Sequence, residues 1–268
     1  MSRDDIKGIL IIVTLLLLGL LGFLLAYKLT PKSYDMDAKT MCLKNERSPL
    51  KRVVLIDKSD RWSSANVERI EEWLSHIGEN IPMNSRLNIL SLSGSKGKET
   101  KVKKIFDKCS PGSESDCNAL YENCRDIRAK FILAFEEPLF DITTLLSKSG
   151  IAQTSPLFET ITTIFDDIKS QKAEIHIISD FMENGHKFSF YKGRLPSVKE
   201  LIKEYPLPTK ARVTVYMHVI ERRRHSMELI DAVKNLWRDY FVQQGIRVKE
   251  VKRFFITCLL YTSPSPRD

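Results

Sequence analysis

The segment Arg52-Val53-Val54-Leu55-Ile56-Asp57 decides the fold of this sequence. It is a short apolar run, rich in β-branched residues, that ends on an acidic residue. Such a run is typical of a strand buried on both faces, most naturally a central strand of a parallel sheet. From Ser63 to Ile77, the apolar side chains fall on one helical face, which predicts a helix directly after the strand.

The same alternation continues along the chain. Further strands are predicted at 87–92, 101–106, 174–180, 211–220 and 246–251, and further helices at 127–146, 156–168 and 227–244. We expect Pro138 to interrupt or restart the helix that contains it, and residues 187–209 to be irregular. Strands that alternate with helices predict an α/β fold, a Rossmann-like and mostly parallel sheet with helices on both faces.

An uncharged run dominated by Leu and Ile precedes this domain. At about 1.5 Å per residue, its length spans a hydrocarbon core of roughly 30 Å. The run is longer than a signal-peptide core and ends in a poor cleavage site, which favours an uncleaved anchor. The predicted organisation is an N-terminal tail (1–7), a transmembrane helix (8–27), a linker (28–50), the domain (51–257) and a terminal segment (258–268).

The terminal segment, Cys258 to Asp268, resembles the translation of a transposase-type sequencing adapter. We therefore expect this segment to be no part of the folded domain. This interpretation implies a gene assembled from short reads and a domain cut off near Thr257.

Four cysteines remain: Cys42, Cys109, Cys117 and Cys124. An even count fits disulfides in an oxidising compartment, and inert free thiols fit equally well. Basic residues after the anchor argue for a cytoplasmic domain, whereas a short N-terminus before a long domain is typical of an exported one. The expectation is a single-pass protein of the bacterial inner membrane with an extracytoplasmic domain.

The formal net charge is +8, but basic and acidic residues are interspersed. Because no stripe of basic and aromatic residues appears, nucleic acid is not an expected partner. The compact run Arg222-Arg223-Arg224 fits a solvated turn or, as a minority hypothesis, a contact with an anion. Phosphate-binding glycine motifs and a G-x-S-x-G elbow are absent from the sequence, so no enzymatic activity is expected. His176 and His218 are interpreted as structural.

Three segments are expected at the carboxyl edge of the sheet, where α/β proteins bind ligands. They are Asp57-Lys58-Ser59-Asp60 after the first strand, Thr154-Ser155-Pro156-Leu157 at a helix start, and Ser179-Asp180 after a later strand. In order and chemistry they resemble the metal-ion-dependent adhesion site of von Willebrand factor A domains. The resemblance covers Lys51 to Gly185 in its motifs and the remainder in architecture only.

The resemblance implies that Asp57, Ser59, Ser155 and Asp180 hold Mg²⁺, whose open position accepts an acidic residue of a partner protein. Oxygen ligands of this kind suit that cation. One departure is Arg61, which stands at the third position of the first-loop motif, where the family has its second serine. The expected function is a membrane-anchored protein-interaction module. Two alternatives stay open: a membrane-tethered accessory of a nucleic-acid-processing or enzymatic complex, and a degenerate, metal-free structural subunit.

Overall fold

The computed structural model describes residues 3–29, 36–44, 47–59, 62–93, 101–112, 117, 123–147, 152, 154–168, 172–192, 194–208, 212–220 and 225–250. Its strands are β1 (Lys51–Asp57), β2 (Arg86–Ser93), β3 (Lys101–Cys109), β4 (Ala173–Ser179), β5 (Val213–Val219) and β6 (Arg247–Glu250). Its α-helices are α1 (Arg3–Leu29), α2 (Ser64–Glu79), α3 (Cys124–Phe131), α4 (Glu137–Ser147), α5 (Leu157–Ile168), α6 (Val198–Glu204) and α7 (Met227–Gln243).

The strands form one sheet in the order β3-β2-β1-β4-β5-β6. β1 lies between β2 and β4 and is parallel to both, as the apolar run at 52–57 predicts. β3 alone is antiparallel, because it follows β2 without a crossover helix in the described chain and pairs with it at the sheet edge. The predicted α/β class and mostly parallel sheet are confirmed.

Apolar side chains form a core on each face of the sheet. On one face, α5 and α7 contribute large aromatic residues, among them Phe158 and Trp237. On the other face, α2 and the helices around Phe131 and Phe135 cover β1 and β2. Since both faces of β1 are covered, its carboxyl end is held rigidly between two layers.

The N-terminal helix α1 contains the apolar segment Gly8–Leu25, with a mean hydropathy of 2.9 and no burial against the rest of the chain. By length and composition this helix can cross a membrane. It is therefore consistent with a single-pass membrane protein.

Residues within the predicted linker contact the domain. Cys42 forms a disulfide with Cys109, the last residue of β3. The Thr40 carbonyl accepts a hydrogen bond from the Cys109 amide at 2.8 Å. Leu43 is buried. The chain that leaves the anchor is thus attached covalently to the edge of the sheet.

Two segments differ from the sequence-based expectations. The stretch 187–209, expected to be irregular, contains α6, which begins with a reciprocal capping box between Ser197 and Glu200. Pro138 does not break the helical path, although a new α-helix restarts beside it, at Glu137. Instead, α3 continues through a π-helical turn (Ile132–Glu136) directly into α4.

A lysine from the sheet explains how the helix passes through Pro138. Proline lacks an N–H, so the carbonyl of Ala134, four residues earlier, loses its usual helical donor. The Lys108 ammonium on β3 donates to this carbonyl at 2.7 Å. A charged donor therefore replaces the missing amide.

We expect Lys108→Met to lower the free energy of unfolding by about 1–2 kcal/mol, because it leaves the Ala134 carbonyl without that donor. The measurement is urea unfolding of a double-mutant cycle with Pro138→Ala. In the Pro138→Ala background, where a backbone N–H is restored, the cost of Lys108→Met falls. Equal costs in both backgrounds would contradict this explanation of the helix.

Candidate functional site

The candidate site is centred on Asp57, the last residue of β1. Its side chain lies at the carboxyl edge of the sheet and is only 1 % exposed. One carboxylate oxygen, Oδ1, accepts a hydrogen bond from the Ser59 amide at 2.9 Å. The other, Oδ2, accepts from the Ser179 hydroxyl at 2.7 Å and from the Ser155 hydroxyl at 3.2 Å.

Three chain segments thus meet at one carboxylate. Ser59 follows β1, Ser179 ends β4, and Ser155 precedes α5. Because β1 and β4 are parallel neighbours, their carboxyl ends lie side by side. The fold therefore brings together three of the four predicted metal ligands: Asp57, Ser59 and Ser155.

Asp180, the fourth predicted ligand, follows β4 directly. Its Oδ1 atom accepts the Met182 amide at 3.0 Å, and its side chain is partly exposed. Burial raises the pKa of Asp57, and the nearby charge of Asp180 raises it further. A second acidic side chain beside a buried carboxylate makes a site that attracts a cation.

The loop after β4 holds Ser155 in place. Ser155 and Asn184 exchange two backbone hydrogen bonds, of 2.9 and 3.0 Å. At the start of this loop, Phe181 adopts a positive φ of 60°, a conformation that few non-glycine residues take. The Trp237 indole donates to the Phe181 carbonyl at 2.9 Å and anchors the loop to α7.

Glu183, in the same loop, is a functional candidate that the sequence reasoning missed. It is 1 % exposed, and its Oε2 atom accepts the Phe158 amide in the first turn of α5 at 3.1 Å. Burial raises its pKa to about 8. A Cβ atom at Gly185 would collide with Glu183 Oε1, so this position favours glycine.

Ser179 is a second residue whose role in the site the sequence does not predict. Its hydroxyl makes the shorter of the two side-chain hydrogen bonds to Asp57. An inward-facing hydroxyl beside a strand-ending acid is a weak signal, and only the register of β4 against β1 shows that the two side chains meet.

The donor set suits a hard cation in its chemistry. Within the described ranges, no three His, Cys, Asp or Glu side chains form a group that can hold a metal ion. The candidate site is of another kind, since it combines two carboxylates with the hydroxyls of serine residues. Such oxygen atoms are the ligands that Mg²⁺ takes, together with several waters.

Other predicted residues fall outside the site or outside the described chain. Arg61, the departure from the family motif, is not among the described residues, nor are Arg222, Arg223, Arg224 and the segment Cys258 to Asp268. The four cysteines form two disulfides, Cys42–Cys109 and Cys117–Cys124. Cys109 lies beside Arg86, at the opposite edge of the sheet from Asp57.

His176 and His218 form a buried pair on β4 and β5. His176 Nδ1 lies 3.0 Å from His218 Nε2, and the Trp73 ring packs against both imidazoles. Burial lowers the pKa of His176 to about 2 and that of His218 to about 3. Both rings are therefore neutral at pH 7, which suits a structural contact.

We expect His176 to make the protein acid-sensitive. Its folded-state pKa lies below the ordinary value of 6.5, so the unfolded chain binds the extra proton as the pH falls below about 6.5. Between pH 7 and pH 5, this group costs about 2 kcal/mol of stability. The measurement is urea unfolding of the unmodified and His176→Gln proteins at the two pH values. The His176→Gln protein should lack this loss, whereas Asp57 and Glu183 contribute equally to the pH dependence of both proteins. An unchanged pH dependence in the variant would contradict the assignment.

No protein-family model matches this sequence, and no curated protein matches it. Solved structures are similar in part. One is the ArnB paralog VWA2 from Sulfolobus acidocaldarius, at 13 % identity and a TM-score of 0.41, covering 78 % of this chain and 42 % of that one. The present chain thus spans about two fifths of the length of that protein.

A second is BatB from Bacteroides thetaiotaomicron, at 11 % identity and a TM-score of 0.38, covering 76 % of this chain and 91 % of that one. A third is an aerotolerance-related membrane protein from Bacteroides fragilis NCTC 9343, at 12 % identity and a TM-score of 0.36, covering 75 % and 91 %. The fold of this chain is identified from its own strand order and from the three loops that meet at Asp57. With its mostly parallel sheet, helices on both faces and three loops meeting at Asp57, the chain has an α/β fold that resembles von Willebrand factor A domains and is preceded by one apolar helix.

Proposed function

We propose that this chain is a membrane-anchored interaction module that captures an acidic side chain of a partner protein through a bound Mg²⁺ ion. The observation that carries the proposal is the meeting of three loops at Asp57, where hydroxyl groups and a second carboxylate, Asp180, surround a buried acid. The proposed mechanism has no catalytic step.

Asp57, Ser59, Ser155 and Asp180 would hold the cation, directly or through water. The Ser155 hydroxyl donates its hydrogen to Asp57 and keeps oxygen lone pairs that a cation can use. The ion would supply the positive charge that two neighbouring carboxylates lack, and an open coordination position would accept the carboxylate of the partner. Ser179, on the neighbouring strand β4, would orient Asp57.

A metal-free structural subunit is the second candidate, and one observation favours it. Both oxygen atoms of Asp57 already accept hydrogen bonds from groups of the same chain, the Ser59 amide and the hydroxyls of Ser155 and Ser179. A carboxylate with such donors is stable without a cation. The two candidates differ in one measurable respect, the response to divalent metal.

For the location, we propose a bacterial inner membrane with the domain on its extracytoplasmic side. Two disulfides support this orientation, because disulfides persist in oxidising compartments and are rare in the cytosol. The test is labelling with a membrane-impermeant thiol reagent after reduction of intact spheroplasts. Labelling only after cell lysis would place the domain in the cytoplasm instead.

We expect Mg²⁺ to raise the melting temperature of the full chain relative to EDTA. A ligand that binds only the native state stabilises it by about 2.7 kcal/mol at 100 times its Kd. Asp57→Ala should abolish the shift, whereas Asp166→Ala, an exposed acid on α5, should retain it. An Asp57→Ala protein that still responds to Mg²⁺ would place the cation elsewhere, and no response in the unmodified chain would favour the structural subunit.

A further inference from the structure

A groove runs between α2 and the continuous helix formed by α3, the π-helical turn and α4. Its volume is about 580 Å³, and its walls are mainly apolar. Leu74, Phe131 and Leu139 line it and are themselves nearly fully buried. We call this surface the acid-rimmed groove, for the side chains described next.

Acidic residues make up most of the polar lining of the groove. The lining residues include five acids and, within the described chain, no lysine or arginine: Glu71, Glu72, Glu136, Glu137 and Asp141. The Glu136 Oε2 atom lies 3.9 Å from Arg128 Nη2. The whole chain carries a formal net charge of +8, so this surface has the opposite sign to the protein as a whole.

Large apolar side chains stand out from the same wall. Phe140 lines the groove and is 71 % exposed, and Leu133 on the preceding turn is 64 % exposed. Among the described residues outside α1, these are the two most exposed large apolar side chains. An exposed apolar patch with a polar rim marks an interaction surface.

The backbone at the groove is also unusual. The π-helical turn contributes Ile132 and Glu136 to the lining. Such turns are rare and occur frequently at functional sites. The turn and the lysine contact at Ala134 keep this helix continuous, so the groove has two rigid helical walls.

We infer that the acid-rimmed groove is a docking surface for a basic amphipathic helix of a partner protein. A third helix fits between two helical walls, with apolar anchors at i, i+3, i+4 and i+7 spacing against Phe140 and Leu133. Its lysine and arginine side chains would face the carboxylates of the rim. An anionic membrane surface is disfavoured as the occupant, because the same carboxylates repel it. This surface uses none of the Asp57 site residues.

The test uses the full chain in phosphatidylcholine nanodiscs and a synthetic helical peptide of about 14 residues, with leucines at that spacing and lysines elsewhere. Fluorescence anisotropy of the labelled peptide gives its affinity, with empty nanodiscs as the blank. We expect binding that weakens with added salt, and no binding of the matched peptide that has glutamates in place of the lysines. Lysine-peptide binding no stronger than to empty nanodiscs would overturn the inference.

Paired surface variants locate the binding. Phe140→Ser and Glu137→Lys should each weaken binding by about tenfold or more. Their matched controls on α7, Val242→Ser and Glu228→Lys, should change it by less than about twofold, since both residues are exposed away from the groove. Equal effects of Phe140→Ser and Val242→Ser on peptide binding would overturn the inference. It would also be overturned if the nanodiscs floated with phosphatidylglycerol vesicles in a Phe140-dependent way, because the groove would then bind an anionic membrane.

Discussion

Replacing Cys42 and Cys109 together by serine is expected to lower the free energy of unfolding by about 4 kcal/mol. The disulfide between them joins residues 67 positions apart and closes a loop that contains β1, α2, β2 and β3. In the chain-entropy account, a crosslink across a long loop removes many conformations from the unfolded state. Urea unfolding of the full chain in mild detergent measures the loss.

The second disulfide provides a matched control. Cys117 and Cys124 are only seven positions apart, so the same account predicts a loss of about 2 kcal/mol when both become serine. The expected order is therefore a larger loss for the 42–109 pair. Equal losses would contradict the dependence on loop length, and no loss for the Cys42→Ser/Cys109→Ser protein would show that the attachment of the linker to β3 contributes nothing to stability.

Glu183→Gln is expected to stabilise the protein at alkaline pH and to change little at pH 5. The folded carboxyl holds its proton up to about pH 8, whereas the unfolded chain ionises near the ordinary value of 4.5. The unfolded state therefore binds fewer protons across this window, and the stability of the unmodified protein falls as the pH rises through it. Between pH 5 and pH 9 that loss is about 4 kcal/mol, and glutamine removes it.

The measurement is urea unfolding at pH 5, 7 and 9, in EDTA so that no bound cation changes the charge near Glu183. Glu204→Gln, on the exposed end of α6, is the control and should leave the pH dependence unchanged. A Glu183→Gln protein that loses stability equally at all three pH values would mean that the native side chain is ionised. In that case Glu183 would serve as a charged cap on α5 rather than as a neutral hydrogen-bonding group.

The local pattern of apolar residues predicted the strands and helices whose apolar side chains are buried. The apolar run that ends at Asp57 identifies a central parallel strand, because only a strand covered on both faces has such a composition. Ser155 was assigned to the site through the resemblance to von Willebrand factor A domains, which Ser155-Pro156-Leu157 at the predicted helix start carries. Its contact with Asp57 follows once both residues lie at the same edge of the sheet.

Contacts between distant segments could not be predicted in the same way. Glu183 lies in a loop of mixed composition, and its burial depends on the close approach of Gly185 and the start of α5. The continuous helix at Pro138 depends on Lys108, thirty residues earlier in the chain, for a donor to Ala134. Each of these features arises from tertiary packing, which overrides the local preference of the residue.

The measurement that tests the central claim most directly is titration of Mn²⁺, as a spectroscopic substitute for Mg²⁺, into the full chain, with free Mn²⁺ followed by electron paramagnetic resonance. We predict that the chain binds one Mn²⁺ ion, that excess Mg²⁺ displaces it, and that Asp57→Asn abolishes the binding while Asp166→Asn leaves it intact. Retention of the ion by the Asp57→Asn protein, or no bound ion in the unmodified chain at millimolar metal, would contradict the proposed cation site.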